Sequence, residues 1–178
     1  MAFILGLLDR LAGIAEFMDR QCFLRILVLI IVLPLFTAAR AASLPDITVT
    51  TDQGPLRLSS LRGKVVYLDY WASWCAPCRQ SFPWMNEMQA RHGDKGLVIV
   101  AVSVDKDAAE ARRFLADNPA RFTVAFDPDG NTAKTLALKG MPSSFLIDRQ
   151  GEIVSTHVGF REAGKQKIEG EIGALLAR

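Results

Sequence analysis

The chain has 178 residues, is 50% hydrophobic and carries 21 basic against 19 acidic residues, for a net charge of +2. That length and apolar content support one domain with a real core. The near balance of charge, with no basic run interleaved with aromatics, excludes an electrostatic nucleic-acid binder.

Much of the apolar content sits at the N-terminus. Ile26 to Phe36 is an uncharged apolar run preceded by Arg20 and Arg25 and followed by Ala39-Arg40-Ala41, an A-x-A cleavage pattern. The run is shorter than the ~20 residues a spanning helix prefers and contains Pro34, so a cleaved signal is favoured over a permanent anchor. Either way the basic flank stays inside and the domain is exported. Asp9 and Glu16 lie ahead of that flank, which is unusual for a signal. Met18 as the true start is one reading of this. The other is an amphipathic segment with Leu7, Leu8 and Leu11 on one side, lying on the inner membrane face. We therefore expect residues 1–41 to be a signal peptide or membrane anchor, with membrane association through 26–39, and residues 42–178 to be the domain. Removing 1–41 takes away four arginines and three acids, leaving a nearly neutral domain, and it also takes Cys22. Only Cys75 and Cys78 remain, so this pair is either one structural bridge or a working one.

Ile47–Thr50 and Leu56–Leu58 read as two short strands broken by the turn Asp52–Pro55, with a capped turn over Ser59–Gly63. Val65–Trp71 is β-branched and aromatic, a core strand. A helix from about Ala76 to Arg91 follows, with Pro77 in its first turn and Phe82, Met85 and Met88 on one face. Next come a strand at Leu97–Ser103, a helix over about Ala108–Asp117, a strand at Phe122–Phe126 and a short helix Asn131–Leu138. Ser143–Ile147 and Glu152–His157 form a hairpin across Asp148–Gly151, and a last helix runs from Arg161 to Ala177. The alternation implies an α/β fold with parallel strands and right-handed crossovers.

Cys75 and Cys78 fall where the core strand ends and the helix begins. Unpaired N–H groups and the helix macrodipole there favour a thiolate over a thiol, and a thiolate attacks disulfides. Cys75, first and more exposed, is expected to attack; Cys78, one turn further in, is expected to resolve the mixed disulfide. A zinc site would need four ligands, and His92 and His157 are not at ligand spacing. A c-type haem site would need His where Arg79 stands. We expect no metal, and no cofactor beyond a redox-active Cys75–Cys78 disulfide.

Asp69–Cys78, with its Trp-Cys-Ala-Pro-Cys, together with Gly140-Met141-Pro142-Ser143 and His157-Val158-Gly159, resembles the thioredoxin superfamily. Within it the resemblance is to the TlpA/ResA-like thiol-disulfide oxidoreductases of the bacterial envelope, over roughly residues 44–178. It implies a thioredoxin-like fold, a central mixed sheet flanked by helices, with an N-terminal β-hairpin and a strand–helix insertion over about Lys106–Phe126. It implies a helix kinked at Pro83 and a cis peptide before Pro142. Met141 and Pro142 would face the cysteines and pair with an extended substrate segment, with Trp74, Ala76 and Pro77 completing the contact surface. Asp69 matches the family's buried acid, which would take the proton of Cys78. The lysine that partners this acid in thioredoxin maps to about Ala101, so the charge partner is absent. His92 and His157 are read as a helix-end and a strand-end residue, and Asp105, Asp107, Arg112 and Arg113 as solvated helix charges.

The resemblance implies exported protein substrates bearing disulfides, a membrane thiol relay as reductant, and a periplasmic domain, free or tethered to the inner membrane. It leans toward a reductant acting in cytochrome c maturation or on copper-site thiols. Two alternatives stand beside it. A thiol peroxidase of the peroxiredoxin type would carry Thr or Ser where Ala72 stands, and a non-catalytic copper-binding module would space its cysteines more widely and add a histidine.

Overall fold

The computed structural model describes residues 42–178, and the readings made for residues 1–41, export signal and anchor alike, lie outside them. Eight strands form one sheet: β1 (Ala42–Ser43), β2 (Thr48–Thr51), β3 (Gly54–Arg57), β4 (Val65–Trp71), β5 (Leu97–Ser103), β6 (Thr123–Phe126), β7 (Ser143–Ile147) and β8 (Glu152–Val158). Among the described residues four helices accompany it: α1 (Ala76–His92), α2 (Ala108–Asp117), α3 (Asn131–Thr135) and α4 (Lys165–Leu176). The spatial order is β1-β8-β7-β4-β5-β6-β2-β3. The β4–β5 and β5–β6 pairs are parallel and the rest antiparallel, giving the expected mixed sheet.

β4 is central and every one of its residues is buried, which is why, Asp69 apart, it reads as an apolar run instead of an alternation. Successive side chains go to opposite faces. Val65, Tyr67 and Trp71 pack with α1, α2 and α4 through Phe82, Met85, Phe114 and Ile172. Val66, Leu68 and Tyr70 join Ile47, Val49 and Leu58 on the other face. Rings of Trp71, Phe82 and Phe114 meet pairwise at 4.8 to 4.9 Å, tying β4, α1 and α2 together beneath the β4–α1 junction. Each such buried side chain contributes about 1.5–3 kcal/mol of transfer free energy. β6 pairs with β5 only from Val100 onward. At the β5 start the Gln89 amide stands in for a strand, accepting from Ile99 N at 2.9 Å and donating to Leu97 O at 3.2 Å.

Several boundaries differ from the sequence reading, each for a local reason. Pro55 lies inside β3, paired with Thr50, because β3 is an edge strand and a missing donor there costs no ladder bond. Leu58 opens a 3-10 turn (Leu58–Leu61) instead of ending that strand. α3 stops at Thr135, and Ala137 adopts φ +50°, which breaks the expected run to Leu138. The last helix begins at Lys165, after a 3-10 turn at Glu162–Gly164. α1 continues through Pro83 to His92. The β2–β3 hairpin adds to the sheet beside β6, and β1 adds beside β8; neither pairing is evident from the sequence.

Candidate active site

Cys75 and Cys78 form a disulfide at the start of α1, with their Cα atoms 5.3 Å apart. Cys75 is the helix N-cap, and its Sγ accepts from Cys78 N at 3.3 Å. Pro77 occupies the first turn, where no intrahelical donor is needed. Cys75 retains 4% of its surface and Cys78 none. Cys75 is the more exposed of the pair, as expected, yet in the oxidised form it is itself buried, while the neighbouring Trp74, Ala76 and Pro77 stand open. Trp74 is 69% exposed, in contrast to fully buried Trp71 three residues earlier.

The Met141–Pro142 peptide is cis. Met141 is half-buried and packs against the apolar groups of both sheet faces, while Pro142 is buried and its carbonyl accepts from Gly159 N at 2.8 Å. That bond joins the two family-like segments Gly140–Ser143 and His157–Gly159.

Asp69 is buried on the helix side of β4, with Ala101 beside it on β5 and Ser144 on β7. Its Oδ2 meets no donor among the described residues, and burial holds its carboxyl well above the usual carboxylate range. Ala101, its neighbour in the β4–β5 register, offers a methyl group and no charge. Tyr67, two residues earlier, donates to Ser144 Oγ at 2.9 Å, and its phenol is pushed up by burial and then by the charge of Asp69. A buried acid on the face covered by α1 is suited to exchange a proton with a thiol on that helix.

One of the charges read as solvated is not: Asp105 is buried and accepts from Ser73 N, Ser73 Oγ and Ser103 Oγ. Arg112 is exposed as expected, donating to Asp52 at 2.7 Å with its guanidinium 4.9 Å from the Phe126 ring centroid. Asp107 caps α2 through Ala109 N at 2.8 Å, and Arg113 pairs with Glu110 on the surface. Sequence reasoning missed Asp105 because its partner Ser73 is 32 residues away. The available signal was position: polar residues at the carboxyl ends of central strands are where α/β sheets build sites. His157 contacts Glu171 Oε2 at 2.9 Å, tying β8 to α4. Among the described residues, no grouping of three or more His, Cys, Asp or Glu could hold a metal ion, and no helix is long and apolar enough to cross a membrane.

A disulfide that caps the helix after a central strand, with a cis-proline loop closing on the last strand, defines a disulfide oxidoreductase of thioredoxin-like fold. The chain belongs to the Redoxin family, whose model matches residues 39–172, and resembles the TlpA/ResA-like members. It is 34% identical over 127 residues to the thiol-disulfide oxidoreductase ResA of Bacillus cereus, covering 71% of this chain and 72% of the relative. A Chlorobium tepidum protein assigned as the thiol:disulfide interchange protein DsbE superposes with a TM-score of 0.75 at 52% identity, over 77% of this chain and 97% of its own. The exposed lipoprotein thioredoxin Etrx1 of Streptococcus pneumoniae superposes with a TM-score of 0.64 at 30% identity, over 74% and 100%.

Proposed function

We propose that this thiol-disulfide oxidoreductase works in the bacterial envelope as a reductant of disulfides in exported proteins, with Cys75 as the attacking sulfur. The observation that carries the reading is the capping of α1 by Cys75, whose sulfur receives a backbone N–H at the positive end of a helix. In the reduced enzyme the Cys75 thiolate attacks one sulfur of a substrate disulfide, forming a mixed disulfide and releasing the other sulfur as a thiolate. Cys78 gives its proton to the carboxylate of Asp69 and attacks the Cys75 sulfur, releasing the second substrate thiolate. Two electrons pass to the substrate, and the Cys75–Cys78 disulfide is left for a membrane thiol relay to reduce. Trp74, Ala76, Pro77, Met141 and Pro142 form the surface that an extended substrate segment lies against, without cofactor or metal.

Export is supported by the apolar run Ile26 to Phe36 behind Arg20 and Arg25, and by likeness to a relative described as an exposed lipoprotein. Residues 1–41 serve as signal or anchor and residues 42–178 as the working domain. Substrates of this chemistry include disulfides formed between cytochrome c apoprotein cysteines or copper-site cysteines, which leave as thiols.

The test is a trap. With Cys78→Ser, envelope fractions on non-reducing gels should show a higher-mass band that collapses with reductant and contains an exported protein. No band, or a band that persists when Cys75 is also replaced, refutes the order of attack.

A further inference from the structure

The loop between β4 and α1 is only four residues long, and it is anchored twice. Its own turn closes through Cys75 N to Ala72 O at 3.1 Å. The second anchor comes from the neighbouring strand. Beyond the end of β5, Val104 N donates to Trp71 O at 2.9 Å, and the buried Asp105 carboxylate takes Ser73 N on both oxygens at 2.9 and 3.2 Å. The same carboxylate accepts the Ser73 and Ser103 hydroxyls, each at 2.9 Å, while Asp105 N donates back to Ser103 Oγ at 3.1 Å. Ser73 sits between buried Ala72 and exposed Trp74, two residues before the reactive sulfur.

We propose that Asp105 is a positioning residue for disulfide exchange, gripping Ser73 so that Cys75 keeps its capping place on α1 when the disulfide opens. In the oxidised form the S–S bond itself ties Cys75 to α1 through Cys78. Reduction removes that tie, and the loop is then held by hydrogen bonds alone. Losing the Asp105 grip therefore costs the reduced state more than the oxidised one, and the couple shifts toward the disulfide. A residue that merely supported the fold would weaken both states equally and leave the couple unmoved. A carboxylate acting only through its charge would do the opposite, because removing it favours the thiolate.

This rests on Cys75 and Cys78 being the working couple, so the parent is measured alongside. Parent, Asp105→Ala, Asp105→Asn and Ser73→Ala are equilibrated in glutathione buffers and the oxidised fraction is read by thiol alkylation and mass. For Asp105→Ala the equilibrium constant for reduction should fall about tenfold, which is about 30 mV for a two-electron couple. Asp105→Asn keeps an acceptor for Ser73 N and should recover at least half of that shift. Ser73→Ala keeps the grip on the backbone, should shift the same way by about threefold, and decides the matter if Asp105→Ala does not fold. Constants within twofold of the parent in every folded variant, or a shift toward the dithiol, overturn the proposal. A parent pair that fails to exchange with glutathione at all would instead overturn the redox role of Cys75 and Cys78.

Discussion

Asp69 on β4 and Ala101 on β5 lie side by side in the parallel register, so the buried carboxyl has a methyl group and no cation for its neighbour on that strand. Burial alone then decides its behaviour, and raises its pKa well above the ordinary range.

The pH dependence of stability follows from that sign. Below the unfolded value of about 3.9 the group is protonated in both states and makes no difference. Above it the unfolded chain ionises while the folded one stays protonated, so the unfolded state binds fewer protons and stability falls with rising pH up to the folded pKa. Asp69→Asn should match the parent in urea unfolding near pH 3 and exceed it at neutral pH. Its turnover should drop. Equal urea midpoints across the range would contradict the burial account, and undiminished turnover from pH 6 to 9 would make Asp69 a structural residue.

Ala101→Lys tests the same relationship from the other strand. A cation beside Asp69 favours the carboxylate, so the decline of stability between acid and neutral pH should flatten relative to the parent. The check is the slope of unfolding free energy against pH, which does not depend on any uniform cost of fitting the longer side chain. An unchanged slope would mean that the two positions do not interact.

Trp74 should matter for partners and not for folding. With most of its surface open, Trp74→Ala is expected to change unfolding free energy by no more than about 0.5 kcal/mol. The KM for reduction of a protein disulfide such as insulin should rise severalfold, and more than for a small disulfide, because only the larger substrate spreads over the indole. Steady-state kinetics on both substrates tests this. Equal effects would remove Trp74 from the contact surface.

Asp127 offers a contrast with Asp105. Its carboxylate accepts from Asn131 N, Thr132 N, Thr132 Oγ1 and Ala133 N at 2.7 to 3.0 Å, and Thr132 in turn receives the Tyr70 hydroxyl at 3.0 Å. These bonds start α3, far in sequence from the cysteines. Asp127→Ala should cost about 2 kcal/mol of stability by thermal or urea unfolding and leave the Cys75–Cys78 equilibrium with glutathione unchanged. A shifted equilibrium would show that the α3 cap also reaches the site.

The parts legible in the sequence are those set by short-range pattern. Val65–Trp71 reads as a central strand because it is buried on both faces, and Pro77 with the Phe82, Met85 and Met88 periodicity fixes where α1 starts and which side it buries. The Trp-Cys-Ala-Pro-Cys segment marks the disulfide that opens α1, and Met141-Pro142 the cis peptide ahead of β7. What stayed hidden depends on distant partners. Asp105 looks like any charge after a strand until Ser73 arrives from another loop, and Pro55 is tolerated in a strand only because β3 ends up at the sheet edge. The length of α3 turned on the backbone of Ala137, for which alanine gives no warning.

The central claim is that Cys75 is the activated sulfur, and the rate of its alkylation against pH tests it most directly. In the Cys78→Ser variant, where Cys75 is the only cysteine of residues 42–178, the account predicts a midpoint clearly below the free-thiol value of about 8.5. A midpoint at or above that value would contradict it.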